Sequence, residues 1–223
     1  MVSVATMALL VGLTAQAAAE NSVGPTGLAD STSTPSEDST PQPGPPTEPE
    51  EDVTEIPSGD VDRAPELPQG TGKPSEQPAG DYCGPPVGVY KPVAKKGKKI
   101  KGIGPAQGNF NSGTHPAKSR FIAEAGGEVG IAVSGELKVS ASAMVGEIEK
   151  KFGVELSFKM NAKIGNWIEV KTPPGKTTHA QYGVWRMKNT GTSYIIYSNC
   201  KTSPKKTITS YAPWHVGWHI WES

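Results

Sequence analysis

Two histidines near the end of the chain have a spacing that is familiar from metal sites. His215 and His219 stand four residues apart, and on a helix this spacing places two ligands on one face. The neighbouring Pro213 and Gly217 indicate a turn and a strand instead, where the same spacing separates two side chains by about 13 Å. No HExxH or CxxC motif accompanies the pair. We therefore expect no metal site and no other cofactor.

Residues suited to acid–base or nucleophilic catalysis are scarce. From residue 81 onward Asp81 is the only aspartate, and Glu147 and Glu149 are the nearest approach to a carboxylate pair. Such a pair is far more common as part of a solvated turn than as an acid and a base. No GxSxG, P-loop or glycine-rich dinucleotide motif follows a predicted strand. The sequence therefore predicts a protein that is not an enzyme.

A dense group of lysines offers a different kind of chemistry, the attraction of polyanions. Its members are Lys95, Lys96, Lys98, Lys99 and Lys101. The usual interpretation of such a group is a solvated, flexible loop. The functional alternative is attraction to an anionic cell-wall polymer such as teichoic acid, to an anionic membrane surface or to extracellular nucleic acid, with an affinity that falls as salt rises. No aromatic residue stands between these lysines, so stacking on bases and specific nucleic-acid recognition are not expected.

Three of the five tryptophans, Trp214, Trp218 and Trp221, lie within eight residues. Exposed, such rings form a platform for glycan rings or lipid headgroups. In the alternative interpretation Trp218 and Ile220 cap the core while Trp221 and His219 face outward. The scarcity of core-forming residues in so short a domain favours this second interpretation. All three tryptophans remain candidate surface-binding residues.

These side chains must be positioned by the second part of the chain, because the sequence divides into parts of opposite charge. Residues 1–80 hold 13 acidic residues against two basic ones, and residues 81–223 hold 20 basic against nine acidic, which gives −11 and +11. Every aromatic residue lies from Tyr82 onward, so only this part can bury a large apolar area. We therefore predict one basic β-rich domain over residues 81–223.

The first part of the chain has two segments. Residues 1–19 combine a short apolar run with small residues that end in Ala17-Ala18-Ala19, which is typical of a signal peptide and predicts a secreted protein. Residues 20–80 hold 12 prolines and predict a disordered acidic Pro-rich linker. The linker is interpreted as a solvated spacer, with two alternatives: a stalk through an envelope, or an intramolecular acidic partner for the basic domain.

The two cysteines, Cys83 and Cys200, are predicted to pair, because the leader implies an oxidising compartment. A free catalytic thiol is disfavoured, since it would leave the other cysteine unexplained. In the chain-entropy model a bridge that closes a loop of this length stabilises the fold by roughly 4 to 5 kcal/mol.

Hydrophobic alternation predicts the fold class. Apolar residues occupy odd positions from 129 to 145 and even positions from 152 to 164, which indicates two long amphipathic strands. The connector also has a helical face, formed by Ala141, Val145, Ile148 and Phe152, so a short helix of two or three turns satisfies both patterns. The class is mainly β, an antiparallel sheet or sandwich with room for that one helix.

Turn residues divide the rest of the domain. The Gly-, Pro- and Lys-rich stretch 84–118 predicts a loop with one strand, and turns are predicted at 172–175 and 189–191. We expect a strand in the apolar run 180–187 between these turns. Further strands are expected at 193–198, 207–211 and 217–221.

The alternating Val/Ala/Ser-rich centre, the stretch TPPGKTTHAQYGVWRMK and the ending GWHIWES resemble small secreted actinobacterial proteins of unknown function. This resemblance covers about residues 120–223 and implies no activity. A second resemblance, in pattern alone, is to aerolysin-type β-pore-forming proteins, whose insertion hairpins also alternate small polar and small apolar residues.

From these observations we expect a secreted, non-enzymatic protein that binds an anionic or glycan surface. In the alternative, residues 129–164 form a hairpin that enters a bilayer as part of an oligomeric β-barrel. Both alternating runs exceed the roughly 9 to 11 residues that a membrane strand needs. Oligomerisation is expected only in this second case.

Overall fold

The computed structural model describes residues 53–68 and 82–223. The predicted signal peptide and the linker at 20–52 and 69–80 lie outside these residues. The elements in chain order are β1 (Thr54–Glu55), a 3-10 turn (Ser58–Asp60), β2 (Val87–Gly102), β3 (Gln107–Phe110), β4 (Ala117–Ile122), β5 (Gly127–Gly130), β6 (Ala132–Val133), α1 (Ala141–Phe152), β7 (Lys159–Ala162), β8 (Trp167–Thr172), β9 (Thr177–Ile196) and β10 (Lys206–Glu222). The mainly β class is confirmed, with antiparallel pairing throughout the described sheets.

The main sheet is built on three long strands. Its order is β1-β6-β10-β9-β2, and β3 pairs with β9 as well. Two smaller sheets, β4-β8 and β5-β7, accompany it. Strand β9 is paired along its whole length, on one side with β10 and on the other with β2 and β3. It is therefore the central strand, and its register determines where β2, β3 and β10 place their side chains.

The two hydrophobic cores lie on opposite sides of β9. Residues paired across an antiparallel ladder project to the same side of a sheet. The helix core consists of Val61, Tyr90, Ile131, Val133, Ala141, Met144, Val145, Ile148, Ile208 and Ala212. Its strand members Tyr90 and Ile208 pair with the odd-numbered residues Ser193 and Gly191. This core therefore covers the odd side of the C-terminal half of β9.

The strand core covers the other side of β9, in its N-terminal half. It consists of Phe121, Ala123, Val129, Ala162, Ala180, Tyr182, Val184, Trp218 and Ile220. The β9 members of this core are all even-numbered, and Trp218 and Ile220 pair with Tyr182 and Ala180. The apolar side of β9 thus changes from even to odd within one continuous strand.

The prediction of two long strands over 129–164 is wrong. Only β5, β6 and β7 form strands there, and α1 occupies 141–152 between them, as the alternative interpretation of the connector allowed. The Ser140 hydroxyl accepts a hydrogen bond from the Ala143 amide and begins the helix, while Gly153, at φ 62°, ends it. These local caps and the burial of Met144 and Ile148 outweigh the two-residue alternation. The predicted hairpin is therefore absent.

Three further predictions at the level of elements are corrected. The stretch 84–118 is largely strand, since β2 alone spans 16 residues. The predicted turn at 189–191 is instead the middle of β9, and Asn189 there is fully buried. The strands expected at 207–211 and 217–221 are one strand, β10, with a register shift between Pro213 and His215. The turn at 172–175 is confirmed, with Gly175 at φ 68°.

Residues 53–68, predicted as linker, are part of the folded domain, so the linker prediction fails for this segment. Strand β1 pairs with β6, and Val61 is buried in the helix core with Ile56 packed against it. The Ser142 amide donates to the Val61 carbonyl at 3.0 Å. A few well-spaced apolar residues and backbone hydrogen bonds thus hold this segment to the fold despite its proline and acid content.

The predicted disulfide is confirmed. Cys83 and Cys200 are bonded with a Cα–Cα separation of 5.2 Å, and the Cys83 amide donates to the Ser198 carbonyl at 3.0 Å. The bridge lies beyond the Val87–Ile196 pair, at the end of the β2–β9 ladder. Among the described residues no helix is long and apolar enough to cross a membrane.

Candidate functional site

The lysines predicted to lie on a flexible loop are part of strand β2, so the loop prediction is wrong. Lys95, Lys98, Lys99 and Lys101 each pair with a residue of β9. Two irregularities, between Pro92 and Ala94 and between Lys95 and Lys98, let the lysine-rich strand follow β9. Gly97 lies in the second irregularity at φ 96°, a conformation that L side chains rarely adopt.

Pairing with β9 divides the predicted lysines between the two sides of the sheet. Lys99 pairs with Arg186 and Lys101 with Val184, on the even side of β9. Lys95 pairs with Asn189 and Lys98 with Met187, on the odd side. Lys96 lies beside Gly97 in the irregular part of β2 and is exposed. The lysine group is therefore a strand with charge on both sides, not a single patch.

On the odd side Lys98 meets Trp214. The Lys98 ammonium lies 3.8 Å from the centroid of the Trp214 ring. Trp214 is the extra residue at the register shift of β10, and β9 lies between the two strands, so the contact crosses the sheet. A cation over an indole ring contributes about 0.5 to 1 kcal/mol at an exposed site. Trp214 is half-buried and is the one tryptophan of the three that joins the lysines.

Trp218 and Trp221 do not belong to an exposed platform. Trp218 is buried in the strand core, as the second interpretation predicted, and its indole N–H donates to the Asn166 side-chain oxygen at 2.8 Å. Trp221 is also buried, with its ring 5.1 Å from the parallel ring of His179. The expectation that Trp221 and His219 face outward is therefore wrong, because His219 is buried between Trp185 and Trp221 in the same aromatic ladder.

The histidine pair lies on a strand, as the neighbouring residues indicated. His215 pairs with Trp185 and His219 with Gln181. Within residues 53–68 and 82–223, no group of three or more His, Cys, Asp or Glu side chains is arranged to hold a metal ion. Glu149 has a structural role, since its carboxylate accepts a hydrogen bond from the Leu156 amide at 2.7 Å beyond the end of α1.

The even side of the C-terminal half of β9 carries a cationic group that the sequence did not reveal. We name it the basic face: Lys99, Lys101, Arg186, Lys188 and Tyr211. The Arg186 guanidinium and the Lys188 ammonium lie 5.2 and 5.3 Å from the centroid of the Tyr211 ring. Tyr211 is fully buried, Arg186 is 3% exposed, and Lys188 and Lys99 are half-buried. The sequence pattern did not identify Arg186 and Lys188 as part of a cationic group, because they alternate with buried residues of a strand.

One carboxylate of the N-terminal segment borders the basic face. Glu55 of β1 lies 3.8 Å from the Lys101 ammonium. Register gives the same placement, because Glu55 pairs with Ala132, Ala132 with Tyr211, and Tyr211 with Lys188. Glu55 therefore projects to the side of the sheet that holds Tyr211 and Lys188.

Several other described carboxylates are engaged away from β2. The Ser58 hydroxyl and Lys159 lower the pKa of Glu128, Lys138 lowers the pKa of Glu136, and Lys118 with Arg120 lowers the pKa of Glu169. By contrast Lys91, Lys95 and Lys96 are exposed and take part in no ion pair with the described residues. These three lysines of β2 thus present positive charge that no described carboxylate pairs with.

Comparison with known proteins adds no family to this picture. No protein-family model matches the sequence, and no curated protein shows significant similarity to it.

Proposed function

We propose that this protein is a secreted, non-enzymatic module that binds an anionic surface through the lysines of β2. The observation that carries the proposal is the exposure of Lys91, Lys95 and Lys96, with no ion pair to a described residue, on one strand of a domain whose sequence carries +11. A repeating anionic polymer or an anionic membrane presents many charges at once, and β2, at the edge of the main sheet, offers ammonium groups to it from both sides of the sheet.

The chemistry favours a class of ligand more than one specific molecule. Lysine is a compact point charge on a flexible stem, so a group of lysines recognises charge density without fixing the geometry of each contact. Near an anionic surface each lysine contributes about 1 kcal/mol, and this attraction falls off within a Debye length. Trp214 adds one ring beside Lys98, which supports a contribution from lipid headgroups or glycans on the odd side of the sheet.

Two further observations support the location. The Cys83–Cys200 bridge is typical of proteins that fold in oxidising compartments. The first 19 residues have the composition of an export leader. Both agree with a surface outside the cytoplasm as the target.

The test compares two triple variants with equal loss of charge. One replaces Lys91, Lys95 and Lys96 by Gln. The control replaces Lys163, Lys171 and Lys176 by Gln as well. These lysines are also exposed and have no ion pair with a described residue. Binding to vesicles with and without anionic lipid, to teichoic acid and to neutral glycans is measured from low to high salt.

We expect the β2 variant to bind the anionic probes on the order of 100-fold more weakly at low salt, from about 1 kcal/mol for each of three lysines. The control is expected to stay close to wild type. Equal losses in the two variants would mean that net charge, and not β2, determines binding. Absence of binding to every probe at low salt would refute the proposal, and salt-insensitive binding to neutral glycans alone would assign the site to a sugar.

A further inference from the structure

One tryptophan outside the predicted binding residues is exposed on the small β4–β8 sheet. Of the five tryptophans, all of which lie in the described residues, only Trp167 is exposed, at 50%. It begins β8 and pairs with Ile122 of β4, which is 49% exposed. Ile164, which is 65% exposed, lies in the turn that leads into β8. Exposed apolar side chains grouped in this way, with polar residues at their rim, are typical of an interaction site.

The backbone around Trp167 is held in place by the core beneath it. On the inner side of the β4–β8 ladder, Phe121 is buried in the strand core. The Ala123 amide donates to the Asn166 carbonyl at 2.7 Å, and the Asn166 side-chain oxygen accepts a hydrogen bond from the Trp218 indole. The outer side of the ladder is therefore a preformed surface, and a ligand does not have to order it.

A group of ion-paired side chains lies beside Trp167 on the same outer side. Residues two apart on a strand share a side, so Arg120 and Glu169, which pair with each other, follow Trp167 at about 7 Å along the ladder. The Arg120 guanidinium lies 4.8 Å from the centroid of the Trp167 ring and 3.3 Å from the Glu169 carboxylate. Lys118 also lies 3.3 Å from this carboxylate, and Lys118 and Arg120 together lower the pKa of Glu169. Guanidinium donors and a carboxylate acceptor are thus fixed next to an aromatic ring.

This combination of side chains favours a sugar over a lipid bilayer. Insertion of Trp167 into a bilayer would carry the ionised Glu169 towards the hydrocarbon, together with the exposed Glu124, which follows Ile122 by two residues. A carboxylate at that depth is costly. A pyranose with equatorial hydroxyls instead presents C–H groups on its face and hydroxyls at its rim. The first suit the accessible part of the indole ring, and the second suit charged donors and acceptors beside it.

The two isoleucines indicate which sugar fits. Ile122 and Ile164 offer methyl groups beside the indole ring, and an N-acetylated sugar carries an acetamide methyl that can contact them. A β-1,4 linkage between equatorial positions keeps successive sugar rings in one extended, flat ribbon. Such a ribbon matches the flat outer side of a two-stranded ladder.

We infer that the outer side of β4–β8 binds a β-1,4-linked chain of N-acetylglucosamine. One sugar ring stacks on Trp167, and its hydroxyls form hydrogen bonds with Arg120 and Glu169. The acetamide methyl contacts Ile122. This site uses none of the lysines of β2 and takes an uncharged ligand, so the inference does not depend on the proposed function.

The first measurement is titration calorimetry of the full secreted chain with three hexasaccharides at about 0.5 M salt, where attraction between charges is screened. We expect chitohexaose to bind most tightly, cellohexaose more weakly because it lacks the acetamide, and the α-linked maltohexaose not at all. Trp167→Ala should weaken chitohexaose binding by about 10-fold or more, through loss of the stacking surface. The control Phe110→Ala removes another exposed aromatic ring, on β3, and should bind as wild type does.

A second variant tests the acetamide contact. Ile122→Thr keeps a β-branched residue in the strand but removes apolar surface beside Trp167. We expect its affinity for chitohexaose to fall to that for cellohexaose, while cellohexaose binding stays unchanged. An equal loss for both sugars would contradict the contact between Ile122 and the acetamide.

The third measurement uses wild-type protein and so does not depend on the folding of a variant. The indole N–H signal of Trp167 is identified by its loss from the NMR spectrum of Trp167→Phe. We expect chitohexaose to shift this signal and to leave the indole signal of Trp214 in place.

Two direct results would overturn the inference: absence of chitohexaose binding by wild type, or binding that neither shifts the Trp167 signal nor weakens in Trp167→Ala. Binding to phosphatidylcholine vesicles that Trp167→Ala abolishes would assign the surface to lipid instead. Self-association that Trp167→Ala abolishes would assign it to a second copy of the chain. Either outcome also overturns the inference.

The variant that replaces Lys91, Lys95 and Lys96 by Gln separates this site from the proposed function. It should bind chitohexaose as wild type does, and Trp167→Ala should bind the anionic probes as wild type does. Failure of one site is therefore distinguishable from failure of the other.

Discussion

At the residue scale, the packing around two glycines predicts opposite effects of an alanine substitution on stability. A Cβ added at Gly88 of β2 would lie 1.6 Å from the Lys138 carbonyl oxygen, because the loop before α1 crosses β2 at this point. That loop is itself held to the sheet, since the Lys138 amide donates to the Ser193 hydroxyl at 2.9 Å. A Cβ at Gly146 of α1 would meet no atom within 4 Å.

We predict that Gly88→Ala lowers the free energy of unfolding by about 2 to 3 kcal/mol, because backbone must move to relieve the clash. Gly146→Ala should raise it by up to about 1 kcal/mol through helix propensity. Urea unfolding of both variants beside wild type measures this. A Gly88→Ala variant as stable as wild type, or a destabilised Gly146→Ala variant, would contradict the described packing.

Individual residues also show what the sequence could and could not reveal about the site. The lysines of β2 were recognisable, because a run of like charges is visible without a fold. The basic face was not, because Arg186 and Lys188 acquire their relation to Tyr211 only through the β9–β10 register. The burial of Trp221 could not be predicted either, because Trp221 stacks on His179, which lies 42 positions earlier in the chain.

At the element scale, the helix α1 depends on a cap that strand patterning conceals. The Ser140 side chain accepts from the Ala143 amide at 3.2 Å, and Lys150 and Lys151 occupy the last turn, where positive charge is favourable. Alternation of apolar residues before 145 made this region resemble a strand. An amphipathic segment can satisfy the strand and the helix periodicity at once. Capping and burial of one helical face therefore decide that this segment is a helix.

We predict that Ser140→Ala lowers the free energy of unfolding by about 1 kcal/mol, as loss of a cap leaves a helix amide unsatisfied. Ser140→Asp should remain close to wild type, because aspartate accepts the same hydrogen bond. Ser142→Ala removes the hydroxyl that lies 3.0 Å from the Ser140 hydroxyl but keeps the cap itself, so it should cost less than Ser140→Ala. Denaturant unfolding distinguishes the three variants, and equal stability of the alanine and aspartate variants at position 140 would show that the cap contributes nothing.

The full length of β9 was also not predictable from its hydrophobic pattern. In β9 the apolar side is even through Val184 and odd from Met187 onward, so the pattern breaks where the strand does not. In addition, the sequence Asn189-Thr190-Gly191 is typical of a turn, although it lies within the strand. Gly191 is required there instead by the Tyr90 ring, which would lie 2.4 Å from an added Cβ. A pattern confined to one strand cannot anticipate a second core on its opposite side.

At the scale of the whole molecule, the disulfide closes a long loop that holds most of the domain. It joins residues 117 positions apart and fixes the end of the β2–β9 ladder. The sequence allowed this bond to be predicted, because with two cysteines only one pairing exists. The inclusion of residues 53–68 in the fold could not be foreseen from composition, since their contribution depends on Ile56 and Val61 meeting a core built by distant residues.

We predict that replacing Cys83 and Cys200 together by Ser lowers the free energy of unfolding by roughly 4 to 5 kcal/mol, the loop-closure value for a loop of this length. Intact mass before and after thiol alkylation verifies the bond in wild-type protein. Urea unfolding of the double variant beside oxidised wild type then gives the difference. Equal unfolding free energies would contradict the loop-closure account of this bond.

Strand β2 ends the main sheet, and within the described residues its outer side has no strand partner. Open edges of this kind recruit other chains into continuous sheets and so lead to aggregation. β2 carries three of the devices that prevent this: lysines along its length, Pro92, which lacks a backbone donor, and two bulges that interrupt regular pairing. The lysines are therefore expected to disfavour edge-to-edge association of neighbouring molecules, and a variant that neutralises them must be checked for self-association before a loss of binding is interpreted.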